Sequence, residues 1–373
     1  MAGHRLRKFF KSVFIGLNLL VSLVFLLACL AHYLNPAGWW PAGFLALIVP
    51  YLVILLIFSV IFWLIIKPKF VFIPLISLLL GSKQLQVLLA WHPSQDFAIR
   101  KRNHTIRIAD WNVASMYGLT NNGEIKKHNR LEIAGLLLKQ NADVLCLQEF
   151  NHSYTQGPQA DNIDLFTAQY PYYFYSRDYD KENGFYTAGS IIFSRFPILD
   201  SGKIRYPGGI AESFIYVDIK AGSDTIRIYT VHLQSYRFTG SDYLEMQRLK
   251  EEDNNALSSS RSLIQKMKEA FIRRGIQAET IHTFIEQSPY PSVVAGDFND
   301  VPNSYTYFHI RGNRQDAFLA RGFGIGRTYI SLAPTLRIDY ILPDNRFNVE
   351  QFSMVDEGLS DHVMLVTDLT MKK

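Results

Sequence analysis

Ser292-Val293-Val294-Ala295-Gly296-Asp297-Phe298-Asn299-Asp300 runs a short apolar stretch straight into a glycine and a cluster of polar side chains. The β-branched valines suit a buried strand. Period-two alternation puts Asp297 and Asn299 on one side for as long as the backbone stays extended. The simpler use of the same residues is a local turn, in which the aspartate accepts from a backbone N–H two positions on.

The pattern recurs along the chain. Segments 105–113, 143–148, 190–194, 214–219, 225–233, 292–295, 337–342 and 363–369 read as strands. Leu131, Ala134, Leu137 and Leu138 share one face of a helix, and residues 256–287 supply one long helix or two consecutive ones. Strands in this number, with helices between them, predict two packed sheets flanked by helices. Polar residues stand at the strand ends, where a sheet presents side chains to a shared cleft: Asn112, Glu149, His232, Asp297 with Asn299, Asp339, and Asp361 with His362.

Each has an ordinary explanation alone. Glu149 marks where a buried strand meets solvent, Asn112 suits a turn, and a lone histidine is more often a satisfied structural residue than a functional one. Together they supply hard oxygen ligands and two histidines without a cysteine cluster, a set that suits Mg²⁺ or Mn²⁺ better than structural zinc. Phosphate ester cleavage draws on those parts. A divalent cation neutralises phosphoryl charge, a carboxylate orients or deprotonates water, and a histidine donates to developing charge.

In order, Trp111-Asn112-Val113, Leu147-Gln148-Glu149, Val231-His232-Leu233, Gly296-Asp297-Phe298-Asn299, Ile338-Asp339-Tyr340 and Ser360-Asp361-His362 resemble the motifs of the endonuclease/exonuclease/phosphatase superfamily. The resemblance runs from about residue 104 to the C-terminus, and six ordered motifs are far more specific than one. It implies the DNase I-like fold, a four-layered α/β/β/α sandwich. It also implies roles: Glu149 as principal metal ligand, with Asn112 and Asp361 near the metal or its waters; Asp297 orienting or deprotonating the attacking water; Asn299 holding the phosphate. His362 would contact the phosphate, oriented by Asp339, with His232 as the second phosphate-side histidine. One departure is Ala114, where some nuclease branches carry an acid, so no ligand comes from that position.

Upstream of this region the character changes. Residues 12–34 and 42–66 are apolar, uncharged and longer than the roughly 20 residues that cross a bilayer. The first is too long for a secretory signal and lacks a convincing cleavage site. Residues 70–91 form a third, weaker segment, either a span or an interfacial helix. The expected organisation is therefore a membrane anchor over 1–91, a linker over 92–103 and a catalytic domain over 104–373. Basic residues near the N-terminus and in Lys67-Pro68-Lys69 place those ends in the cytoplasm. A third crossing then puts the catalytic domain on the non-cytoplasmic side of a multi-pass protein.

Charge narrows the substrate. The chain is +5 overall, but residues 1–95 hold seven of its 38 basic residues and no acid, leaving 31 basic against 33 acidic in the remainder. A duplex-directed nuclease profits from a basic face, since phosphate contacts dominate its affinity. Here only Arg100, Lys101, Arg102 and Arg107 suggest a local basic patch. The expectation is a phosphodiester hydrolase, a nuclease being one branch. A phospholipid- or sphingomyelin-directed enzyme is the alternative, and a non-catalytic membrane module is a third reading disfavoured by the complete motif set. The partners expected are the phosphodiester, in nucleic acid or a lipid headgroup, and the bilayer; nothing points to a protein partner. Arg237, Phe238, Tyr305 and Tyr307 lie on loops that either border the cleft or, as the readier reading, are surface or packing residues, and Arg327-Thr328-Tyr329 either contacts substrate or packs. Cys29, in an apolar run, and Cys146, in an expected buried strand, are not expected to pair.

Overall fold

A computed structural model of the chain describes residues 2–93, 97–102, 104–120, 122–157, 160–208, 212–240, 242–243 and 256–372. Residues 94–96 and 103 of the expected linker lie outside the described residues. The strands are β1 (Ala90–Trp91), β2 (Ile106–Asn112), β3 (Val144–His152), β4 (Tyr172–Tyr175), β5 (Tyr179–Lys181), β6 (Tyr186–Ser194), β7 (Ile198–Arg205), β8 (Ser213–Ala221), β9 (Asp224–His232), β10 (Ser292–Asp297), β11 (Phe323–Gly324), β12 (Asp339–Pro343), β13 (Phe347–Val355) and β14 (Met364–Met371).

Two sheets carry the domain. One has the order β13-β14-β2-β3-β6-β4, with β5 also on β6; the other is β12-β10-β9-β8-β7. Pairing is antiparallel except for β2 with β3 and β9 with β10. Alternation explains the layers. Ile108, Val144, Cys146 and Ile192 of the first sheet meet Val217, Ile228, Val293, Ala295 and Ile341 of the second in one core between the sheets. The opposite face of the first sheet, through Leu145, Leu147 and Phe193, packs on Ile133, Ala134 and Leu137 of the Gly123–Lys139 helix. Tyr229, Val231, Val294 and Tyr340, on the outer face of the second, pack on Ala278, Ile281 and Ile285 of the Ala256–Glu286 helix. The result is the expected α/β/β/α sandwich, with one continuous helix where one or two were expected.

The basic patch does not form as expected. Arg107 is fully buried, with Nε 2.6 Å and Nη2 2.9 Å from the two Asp368 carboxylate oxygens, and Lys101 is paired with Asp143. Burying a guanidinium demands such a partner, which removes its charge from the surface.

At the N-terminal end, the helices over Lys8–Tyr33 and Pro41–Ile66 are each long and apolar enough to cross a membrane. The third segment differs from a single helix over 70–91. It is two helices, Phe72–Leu80 and Ser82–Leu88, in a pair bent by 68°. Gly81 sits at the break, where a β-carbon would lie 2.4 Å from the Phe25 ring. Ala90 and Trp91 leave the segment to pair with Gly324 and Phe323.

The N-terminal helices dock on the sandwich through one end. Gly43 lies against Phe271 so closely that a β-carbon would be 2.3 Å from the ring, and Phe44 meets the same ring edge-on at 5.0 Å. Val301 enters a cluster with Ala31, Ala42 and Ala46. Asn303 donates to the Gln84 side chain at 2.7 Å, and Gln84 in turn bonds His32 at 2.8 Å. Arg337, held by Asp316 at 2.6 Å, donates to the Val87 carbonyl at 2.8 Å.

Candidate active site

The alternation that builds the inter-sheet core also places the site. On β2, β9, β10 and β12 the side chains in step with Ile108, Ile228, Ala295 and Ile341 point between the sheets. Continuing each strand in that step puts Asn112, His232, Asp297 and Asp339 at one end of the core. Asp297 pairs with Asp339 on one side and with His232 on the other in strand register. The apolar core thus ends in a polar floor.

Glu149 arrives differently. Strict alternation would point it toward the helix layer with Leu145 and Leu147. At that position the pairing of β3 with β6 slips, and Glu149 takes φ 50°. This bulge leaves Leu147 and Phe150 in the helix-side core and turns Glu149 out, its side chain 44% exposed. Asn112 Nδ2 donates to Glu149 Oε1 and to Asp297 Oδ2, both at 3.2 Å.

The Asp297 segment uses both sequence readings at once. Extended structure ends at Asp297, since Asn299 has φ 52°, and Asp297 Oδ1 accepts from the Asn299 N–H at 2.7 Å. The turn still returns the Asn299 side chain to the site, with Nδ2 donating to Asp297 Oδ2 at 3.1 Å and to the Leu233 carbonyl at 2.9 Å.

His362 closes the floor. Its Nδ1 lies 3.0 and 3.1 Å from the Asp339 oxygens, and its Nε2 lies 3.8 Å from Asp297 Oδ2. His232 Nε2 stands 3.8 Å from the same Asp297 oxygen and 3.8 Å from Glu149 Oε1; it is buried and has no hydrogen-bond partner among the described residues. Both histidines therefore converge on one carboxylate oxygen at distances too long for a direct hydrogen bond. Asp297 is 1% exposed, and burial, reinforced by Asp339 and opposed by the two histidines, pushes its carboxyl up to about 6. Burial works against a charged His362, but Asp339, Asp297 and Asp361 outweigh it and raise the imidazole to about 10. Asp361 is raised by burial and by the negative Glu149, with His362 opposing. Two carboxylates that repel across a cleft mouth, with an amide beside them, form a hard-oxygen set that a divalent cation would relieve.

All eight expected residues thus belong to one region, with Glu149, Asp297, Asn299, Asp361 and His362 lining one cleft of about 220 Å³. Several neighbours were not legible. Asp110 is fully buried two residues before Asn112 and accepts from Gln148 at 2.9 Å; burial and Asp339 hold it well above the usual carboxylate range. An acid at an inward strand position was its only signal. Arg274, buried on the long helix, is 3.3 Å from Asp300 and donates to the Tyr236 hydroxyl at 3.1 Å. Arg237, Phe238 and Tyr329 border the cleft rather than merely packing, whereas Tyr305 and Tyr307 are core residues. Leu47, from the Pro41–Ile66 helix, also lines the cleft.

Two stacked sheets between helices, with carboxylates, amides and paired imidazoles gathered at the strand ends, define the DNase I-like class. Residues 111–362 match the model of the endonuclease/exonuclease/phosphatase family, and the chain belongs to that family. Residues 10–88 match a domain of unknown function, DUF8431. Among solved structures, the chain is similar to an endonuclease/exonuclease/phosphatase from Beutenbergia cavernae DSM 12333, at TM-score 0.52 and 19% identity over 72% of each chain. It is also similar to the human Nocturnin catalytic domain with bound sulfate anion, at TM-score 0.51 and 20% identity over 73% of this chain and 95% of that one. No curated protein matches the sequence.

Proposed function

We propose that the chain is a membrane-anchored, metal-dependent phosphodiesterase whose catalytic domain stands on the non-cytoplasmic side. The observation that carries the chemistry is the convergence of His232 and His362 on Asp297, with Asp339 behind His362. Asp297 acts as general base: a carboxyl pushed up to about 6 is ionised at neutral pH yet basic enough to take a proton from water. His362, kept positive by Asp339, donates from Nε2 to a phosphoryl oxygen. His232 Nε2 and the Asn299 amide supply further donors to the same group. Water oxygen bonds to phosphorus, one P–O ester bond breaks, and the departing alkoxide is protonated to an alcohol.

Glu149, Asp361 and Asn112 would hold Mg²⁺ or Mn²⁺, which when bound neutralises phosphoryl charge. Asp297, Asp339 and His362 also bring ligand atoms within 4.8 Å of one another, but a protonated His362 already bonded to Asp339 repels a cation. That trio is better read as the proton-handling part of the site.

Sidedness rests on the docking. The sandwich packs on the His32-to-Leu47 end of the anchor, while Lys11 and Lys69 lie together over Phe70 at the opposite end. The third segment runs between the two, from Phe70 against Trp63 to Gln84 against His32. With the basic end inside, the catalytic domain faces out.

The test is turnover of bis(p-nitrophenyl) phosphate by the full chain with Mg²⁺. Asp297→Asn and His362→Ala are each expected to lower kcat by about 10³-fold with the circular dichroism spectrum unchanged, and chelation to abolish activity until Mg²⁺ or Mn²⁺ is restored. Undiminished turnover in both variants would sink the assignment.

A further inference from the structure

One residue of the cleft's apolar wall comes from outside the catalytic domain. Leu47, from the Pro41–Ile66 helix, joins Val301, Leu332 and Leu336 in a lining that also holds Asp297 and His362. The depth of that wall follows from helix geometry. The helix has 26 residues and ends at Ile66, before Lys67. At about 1.5 Å per residue, about 20 residues fill a hydrocarbon core about 30 Å thick. Counting back from Ile66 puts the far boundary at Leu47. The loop that follows Tyr329 goes further, since Thr335 Oγ1 reaches the Tyr51 hydroxyl at 3.4 Å, one helical turn deeper than Leu47. Leu332, at the exposed turn of this loop, is 36% exposed. Trp39 and Trp40 stand just before the helix, as aromatic side chains do at a membrane interface.

The charge of the lining points the same way. Among the described residues it holds the carboxylates Glu149, Asp297, Asp300 and Asp361 and a single guanidinium, Arg237, which pairs with Glu212 at 2.9 Å. A nucleic acid brings a row of phosphates and needs a cationic track to receive them. This cleft offers donors for one phosphate, an apolar side, and a mouth at the membrane surface.

We infer that the substrate is the phosphodiester of a membrane lipid, entering from the leaflet on which the domain is docked. Its phosphate meets His362 and His232, while its acyl-bearing part lies against Leu47, Val301, Leu332 and Leu336. This rests on the reading above that the site hydrolyses a phosphodiester and that Pro41–Ile66 crosses a bilayer. Water and the lipid diester give an alcohol and a phosphomonoester, one of which keeps the acyl chains.

The experiment uses the full chain reconstituted with Mg²⁺ into vesicles of phosphatidylethanolamine, phosphatidylglycerol, phosphatidylcholine and sphingomyelin in equal parts. Lipid products are followed by mass spectrometry beside bis(p-nitrophenyl) phosphate and a single-stranded oligonucleotide. Cleavage of at least one of the lipids is expected. Leu332→Gln and Leu47→Gln are expected to lower that rate about tenfold more than the rate on bis(p-nitrophenyl) phosphate, by loss of an apolar contact to the lipid. Turnover of either soluble substrate without any lipid product overturns the inference and leaves the phosphodiesterase reading standing, as do equal losses on lipid and soluble diester in both variants. Silence on every substrate overturns both.

Discussion

Asp339 makes no contact with the cleft mouth, yet it sets the charge of the residue that does. Its carboxylate bonds His362 Nδ1, fixing the tautomer and favouring the imidazolium that presents Nε2 toward Asp297. The two titrations bracket the working range. Activity is expected to rise as Asp297 loses its proton near about 6 and to fall as His362 loses its own toward about 10. For His362 the sign is that of a raised base: the favourable charge is present at neutral pH and lost as pH climbs through the folded value. Asp339→Asn removes the largest of the attractions that raise it, so the alkaline limb should move to lower pH by about one unit or more. A pH–rate profile on a soluble diester reads this directly. An unmoved limb would mean that Asp339 does not hold the charge.

Among the elements, β10 shows how a strand delivers a side chain to the site. Gly296 has φ 140°, and a β-carbon there would lie 2.0 Å from the Val231 carbonyl oxygen of β9. That close approach lets Asp297 and His232 share a register position. Gly296→Ala should cost about 3 kcal/mol, read as a lowered thermal midpoint, and should reduce turnover in the fraction that remains folded. The eight expected strands all exist, because each carries an apolar run that its buried faces demand. β4, β5, β7 and β13 were missed for a related reason. Ile198–Arg205 reads Ile-Leu-Asp-Ser-Gly-Lys-Ile-Arg and stands at a sheet edge, half wet, where no apolar run is required.

For the whole molecule, the N-terminal helices are packed against the sandwich and not only joined to it by the chain. The end of these helices around residues 31–46 is a packing surface for the sandwich, through Gly43 on Phe271 and Val301 among Ala31, Ala42 and Ala46. With Pro41–Ile66 crossing a bilayer as proposed, this docking would fix the distance of the cleft from it, which a flexible linker would leave free. Sidedness has its own test. A reporter active only in the cytoplasm, fused after residue 95, is expected to be silent; activity would reverse the orientation and put the domain inside.

Residue type and alternation were enough to reveal two packed sheets flanked by helices and the two apolar helices, because burial imposes its period on each strand locally, whereas the six motifs were legible through their resemblance to a known family. Asn112, His232, Asp297 and Asp339 each continue the inward step of an apolar strand, but so does Asp110, and only the resemblance set the four apart. Glu149 was visible as a residue but not in its direction, since a bulge against β6 turns it and bulges arise from pairing between strands. Long-range packing alone brought Arg274 beneath the cleft and Leu47 into its wall. Leu47 is one leucine in an apolar helix, and its meaning comes from lining residues about 100 or more positions away, which no local pattern encodes.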